Sequence, residues 1–257
     1  MFQPVVPFGG YAGWAFLTRT LEKQRETFAN ASGIQRDTAY FRKHIGKINS
    51  AAELVNDRTL LKVALGAFGL DDDINSKAFI QKILEEGTLS PKALANRLPD
   101  KRYLELSKAF GFGDLAVPRN KISDFPKEIT ALYETRQFEI AVGKQNADMR
   151  LALSLERDLA EISGKNNSEN TKWYEIMGRP PLRKVFETAF GLPSSFAAID
   201  LDTQLKTFRA RAEQAFGNSD ISRFSDSSER EKLIRLFLLR ADLQTQSALV
   251  QTVRLPT

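Results

Sequence analysis

SAAELVNDRTLLKVALGAFGL, residues 50–70, is the stretch whose reading decides the fold, because a partial copy of it, KWYEIMGRPPLRKVFETAFGL, returns at residues 172–192. The two align without a gap at an offset of 122, with eight identical positions. Glu53 pairs with Glu175, Leu60 with Leu182, Lys62 with Lys184, Val63 with Val185, and Ala67-Phe68-Gly69-Leu70 with Ala189-Phe190-Gly191-Leu192. Leu61, Ala64, Leu65 and Phe68 fall on one helical face, and so do Val185, Phe186, Ala189 and Phe190. The unit is therefore a repeated helical building block.

Ala-Phe-Gly occurs four times, ending at Gly69, Gly111, Gly191 and Gly217. Composition alone would give about 0.1 occurrences, so the repetition carries information. Each triplet closes an apolar-periodic run. Glycine just past a last turn reads as a helix stop, because it lacks the Cβ that penalises positive φ. An apolar residue follows in three cases (Leu70, Phe112 and Leu192), placed to fold back onto the last turn. Asn218 follows Gly217, so that contact is expected to be missing there.

Length and composition set bounds. A chain of 257 residues can form one large domain or two small ones. There are no cysteines, which removes disulfides, thiolate catalysis and sulfur-ligated metals. The opening MFQPVVPFGGYAGWAF lacks a basic region and a small-residue cleavage pattern, unlike a typical signal peptide. No apolar run approaches the roughly 20 residues that span a bilayer. Net charge is +5 and the sequence pI is about 9.3, but the charge is only mildly focused. Sets such as Arg209, Arg211, Glu213 and Arg230, Glu231, Arg235 read as solvated helix faces. No basic stripe with interleaved aromatics points to nucleic acid.

Along the chain, residues 1–12 read as an irregular arm, followed by a helix over 13–29 that carries Trp14, Leu17, Leu21 and Phe28. Asp37 is placed to cap a second helix. Ser50 and Glu53 match a capping box, as do Ser228 and Glu231. Asp71, Asp73 and Asn75 imitate the first ligands of a calcium loop. Ser76 and Lys82 stand where that loop needs Gly and Glu, so the cluster reads instead as the cap of the helix containing Phe79, Ile80, Ile83 and Leu84. Residues 116–125 read as a linker between a first unit over 1–115 and a second part over 126–257. From Pro126 to Ser163, Ile129, Leu132, Tyr133, Ile140, Ala147, Leu151, Leu155, Leu159 and Ile162 form one stripe. Phe138, Val142, Met149 and Leu153 form another about 180° away. This double stripe predicts one long central helix, continuous through Gly143, with a repeat unit on either side. Residues 250–257 read as a tail. No segment alternates as a strand does, and the expected fold is all-α.

The chemistry is sparse. His44 is the only histidine, and no Gly-x-Ser-x-Gly elbow presents a serine to it. A two-histidine metal site is impossible. None of the Gly-Lys pairs has the spacing of a phosphate loop, and Gly9, Gly10 and Gly13 miss the dinucleotide pattern. The sequence thus nominates no catalytic residue, no metal ligand and no cofactor, and points to a protein that is not an enzyme. Arg136, Gln145, Asn146 and Arg150 are the anomaly, being polar residues within the double-striped segment. Two readings stand: a polar network fixing register, or a polar cleft that binds a small ligand or supports catalysis.

Five stretches, YFRKHIGKI (40–48), VALGAFGLDDDINSKAFIQKILEEG (63–87), LANRLPDKRYLELSKAFGFGD (94–114), RQFEIAVGKQNADMRLAL (136–153) and TKWYEIMGRPPLRKVFETAFGLP (171–193), resemble the bacterial domain-of-unknown-function 1217 family. Genes of that family often lie in alphaproteobacterial flagellar clusters. The resemblance implies a flagellum-linked role, cytoplasmic or flagellum-associated, with flagellar proteins as partners and no catalytic residues to transfer. The expected function is protein–protein contact in flagellar assembly or regulation, with the amphipathic ends at 14–28 and 233–243 as candidate contact surfaces.

Overall fold

Asp57 shows how this sequence makes its helices. In the computed structural model, which describes residues 2–253 and the side chains of residues 2–245, its Oδ1 accepts from the amides of Thr59 (3.0 Å) and Leu60 (2.9 Å). That satisfies two of the free first-turn donors of the next helix. The first eight α-helices are α1 (Gly10–Ala29), α2 (Ser32–His44), α3 (Ala51–Asn56), α4 (Arg58–Phe68), α5 (Lys77–Glu86), α6 (Leu94–Arg97), α7 (Arg102–Phe110) and α8 (Phe125–Gly143). The remainder are α9 (Ala147–Gly164), α10 (Glu169–Met177), α11 (Pro180–Ala189), α12 (Leu201–Phe216) and α13 (Ser227–Val253). Helix makes up 76% of the structure, and no strand occurs among the described residues. The fold is all-α. Of the tail expected at 250–257, residues 254–257 lie outside the described residues, and α13 continues to Val253.

The described residues form two compact units, one drawn from Met1–Val5 and Thr20–Ala141, the other from Val6–Arg19 and Val142–Thr257. The chain passes between them three times, after Val5, after Arg19 and after Ala141. The stretch 116–125 lies inside the first unit, where Asn120 is buried and its amide donates to the carbonyls of Ile45 (2.7 Å) and Ile48 (2.8 Å).

In the first unit α4 is the centre of the core. Leu60, Leu61, Val63, Ala64, Leu65 and Phe68 are all buried. Gly66 brings the helix against α8, since a Cβ there would sit 2.7 Å from the Tyr133 ring. The buried Tyr133 hydroxyl donates to Asp37 at 3.0 Å, and burial together with that carboxylate raises its pKa. Asp37 is therefore not the cap of α2, which begins five residues earlier at Ser32 behind Ala31, a residue with no capping side chain. It serves as an acceptor for Tyr133 and Lys62. The acidic cluster forms a 3-10 turn over Asp71–Asn75 and does not cap α5. Two of its members serve other helices instead, Asp71 accepting from Gln137 (2.6 Å) and Asp73 from the Tyr103 hydroxyl (2.8 Å).

In the second unit Pro180 opens α11 at a position where its missing N–H costs nothing. Leu182, Val185, Phe186 and Ala189 are buried, at the places that Leu60, Val63, Ala64 and Ala67 hold in α4. The Trp173 indole packs on Phe186 (5.3 Å between ring centres) and Phe208 (5.7 Å), and donates to Ser219 O at 2.9 Å. Beside it Lys172 is buried and donates to Ser163 O (3.3 Å), Glu169 (3.3 Å) and Ser222 Oγ. Glu169 also accepts from the Ile221 and Ser222 amides and the Ser222 hydroxyl. Burial pushes the Glu169 pKa up. The Ser222 hydroxyl, the two amides and Lys172 outweigh it and hold the group below the ordinary 4.5. A buried ammonium is tolerated because each of its protons finds an acceptor.

The long helix expected through Gly143 is instead two helices, α8 lying in the first unit up to Ala141 and α9 lying wholly in the second. Asn146 breaks it, with φ −150° and ψ 110°, and its side chain accepts from Met149 N at 3.0 Å as the cap of α9. The amides of Gln145 and Asn146 both turn back to Val142 O at 3.0 Å. The turn is tight, since a Cβ on Gly143 would lie 3.1 Å from that of Arg150. Ser228 is likewise not the cap of α13, because Ser227 already begins the helix and Asp226 accepts from Ser228 N at 2.8 Å. Glu231 accepts the Trp14 indole proton at 2.9 Å. At Ser50 the cap is present, its Oγ accepting from Glu53 N at 3.2 Å.

Gly69, Gly111, Gly191 and Gly217 all take φ between 65° and 83°. After α4 the Leu70 amide bonds to Leu65 O and Gly69 N to Gly66 O. After α11 Leu192 N bonds to Glu187 O and Gly191 N to Thr188 O, so both copies end in the same two-bond motif. The amides of Gly111 and Gly217 each make a single bond, to Ser107 O and Glu213 O. Gly191→Ala is expected to lower the unfolding free energy by about 1–2 kcal/mol, since its space is open and only the left-handed backbone objects. Gly164→Ala, equally open but at negative φ, is expected to be neutral or stabilising. Urea titration of the two variants checks the contrast. For Glu169, whose folded pKa is depressed, the contribution is present above the unfolded value and is lost as pH falls through the folded one. Wild type is expected to lose stability more steeply than Glu169→Gln below about pH 5, measured by thermal melts across pH.

Candidate functional site

The four polar residues nominated by the sequence do different jobs. Arg136 belongs to the first unit, and its Nε donates to Ala67 O at 2.9 Å, at the carboxyl end of α4. Gln145, Asn146 and Arg150 belong to the second unit. Asn146 is a helix cap, and Gln145 and Arg150 are exposed, not buried as the double stripe suggested. His44 stacks on Tyr40 with ring centres 4.0 Å apart, and its Nδ1 lies 2.8 Å from Tyr40 O.

Of the two amphipathic ends, the first turns inward, with Trp14, Leu17 and Phe28 all buried. In α13 Leu233, Ile234, Phe237 and Leu238 are buried, whereas Leu239 (50%) and Leu243 (56%) are exposed. Upstream on the same helix, hydrogen bonding to Glu231 raises the Tyr11 pKa, and the Arg235 guanidinium lies 5.3 Å over the Tyr11 ring.

Two concave surfaces stand out. In the first unit a groove of about 690 Å³ runs past Leu89, Lys108, Leu115 and Arg119. Leu89 is 77% exposed. The loop that carries it is held by Asp114, whose carboxylate accepts from Thr88 N (2.6 Å), Thr88 Oγ1 (2.8 Å) and Leu89 N (3.2 Å). Burial raises the pKa of Asp114, but these hydrogen bonds and the charge of Lys108 prevail and lower it.

In the second unit a pocket of about 310 Å³ lies at the carboxyl end of α11, lined by Ala189, Phe190, Arg211, Gln214, Leu236 and Arg240 among others. Arg211 Nη1 donates to Gln214 Oε1 at 3.3 Å. The first unit treats the equivalent helix end differently. There Arg136 and Arg102 donate to Ala67 O and Gly69 O, and Arg102 is held by Asp100 at 2.7 Å. Cations at a helix carboxyl terminus stabilise it through its carbonyls. At α11 two guanidinium groups line a cavity. Sequence reading passed over Arg211 as a solvated residue and did not single out Arg240. Arg211 and Gln214 three apart on α12, with Leu236 and Arg240 four apart on α13, were the available signal. Among the described residues no helix is long and apolar enough to cross a membrane, and no group of three acidic or histidine side chains is placed to hold a metal ion.

A solved crystal structure of a protein from Agrobacterium tumefaciens is similar over 95% of this chain and 99% of its own, with 27% identity and a TM-score of 0.75. No curated protein matches the sequence. The profile described as "Protein of unknown function (DUF1217)" matches residues 67–229, which include α5 to α12 in full. The chain belongs to the DUF1217 family.

Proposed function

We propose that this protein catalyses no reaction and acts through helix-surface contacts with another protein, in flagellar assembly or regulation, in the cytoplasm or at the flagellum. The observation that carries the reading is the outer face of α13. Leu239 is half exposed and Leu243 is exposed one turn on, while Phe237 and Leu238 are buried and Arg240 lines the α11 pocket. Two leucines one turn apart on the outside of a helix, with arginine between them, make a surface of the composition that protein interfaces favour. Membership of a family whose genes often lie in flagellar clusters supplies the process.

Deleting the gene from a motile host is expected to shrink the swimming halo in soft agar and to reduce filament number under the electron microscope. A deletion strain with normal halos and normal filaments would refute the reading.

A further inference from the structure

We infer that the pocket formed by Arg211, Gln214 and Arg240, with the adjoining face of α13, is a docking surface for an acidic amphipathic helix of a partner protein. This rests on the protein-contact reading above and specifies its site and its partner.

Charge is the first argument. Neither Arg211 nor Arg240 makes an ion pair among the described residues; Arg211 reaches only the neutral Gln214. Other arginines of the same unit are committed, Arg183 to Glu187 (2.7 Å), Arg223 to Glu229, Arg230 to Glu156 (2.8 Å), and Arg209 to the neutral Asn170 (2.6 Å) and Ser219 (3.2 Å). Two guanidinium forks bordering one cavity suit two carboxylates, because each planar fork can hold a carboxylate through two parallel hydrogen bonds.

The second argument is the wall chemistry. Phe190, Ala215 and Leu236 line the same pocket, and Leu239, three residues on from Leu236 along α13, is 50% exposed. A free small anion would use the arginines and leave these apolar side chains wet. A nucleic-acid backbone would need a longer run of cations than two. A helix with glutamates flanking a leucine stripe uses both, its leucines lying on α13 and its carboxylates reaching Arg211 and Arg240. The net charge of +5 favours approach of an acidic partner.

The third argument is internal. In the first copy the two arginines at the end of α4 are committed to its carbonyls, and Asp100 holds one of them. In the second copy the corresponding helix end keeps a cavity of about 310 Å³ between the arginines.

The test uses the full chain and a fluorescein-labelled peptide helix with a leucine stripe flanked by glutamates, read by fluorescence anisotropy. The same helix with lysine for every glutamate serves as control. The glutamate peptide is expected to bind, to weaken as salt rises, and to bind at least about tenfold less tightly to Arg211→Gln/Arg240→Gln, the loss of two charge-assisted contacts. Both residues are exposed, so a circular dichroism melt matching wild type shows that the variant folds. Equal binding by wild type and variant, or equal binding of the two peptides, would overturn the inference. So would saturation by succinate or inorganic phosphate with no peptide binding, which marks a small-anion site. Dimerisation of wild type that the double variant abolishes, with no peptide binding, would assign the surface to a second copy and overturn it too. In the motile host the double variant is expected to swim poorly. A non-motile deletion strain restored fully by Arg211→Gln/Arg240→Gln would sink this inference while leaving the protein-contact reading standing.

Discussion

Helix termination governs this molecule. A chain that packs thirteen α-helices into the described residues must stop and turn many times, and each stop leaves carbonyls that need donors. The solution used at the ends of both α4 and α11 is a left-handed glycine followed by a leucine, which returns two amides to the last turn. Everything else depends on those stops being placed correctly. Leu60 and Leu182, or Val63 and Val185, face the interior only because each helix begins and ends in the same phase. A one-residue shift would rotate the buried face by about 100° and bring polar residues inward.

What could be read in advance follows from how local each device is. Glycine stops, the Ser50 cap, Pro180 at a helix start and the apolar periodicity are written within a few residues, and these agree with the structure. The double stripe over 126–163 misled because two helices, each with its own phase, imitate one helix with two faces. Phe138 and Val142 close α8, while Met149 and Leu153 open α9. The break between them is an asparagine acting as a cap, and an asparagine in a polar turn looks the same in sequence as one on a helix surface. Asp37 failed as a cap for a related reason. Its partner Tyr133 lies 96 residues away, and nothing near it in sequence records that.

The candidate surface was illegible for the converse reason. Arg211 and Arg240 lie on different helices and become neighbours only once α12 and α13 have folded against α11. Arg136, which looked unusual in sequence, finds a carbonyl in α4 and becomes ordinary. Whether an arginine is committed or available is a tertiary fact. Charge counting cannot separate Arg102, held by Asp100 and Gly69 O, from Arg240.

The short segment 219–225 has a meaning for how the second unit comes together. Ser219 supplies the acceptor for the Trp173 indole, Ser222 the acceptor for Lys172, and Ile221 and Ser222 the donors for Glu169. Until that segment arrives, α10 carries a tryptophan N–H, an ammonium and a carboxylate that are too polar to be sealed from water. The segment acts as a latch roughly fifty residues downstream of what it locks. A fragment ending before it would leave the Trp173 N–H, the Lys172 ammonium and the Glu169 carboxylate short of these partners, so sealing the interior around Trp173 depends on residues far along the chain.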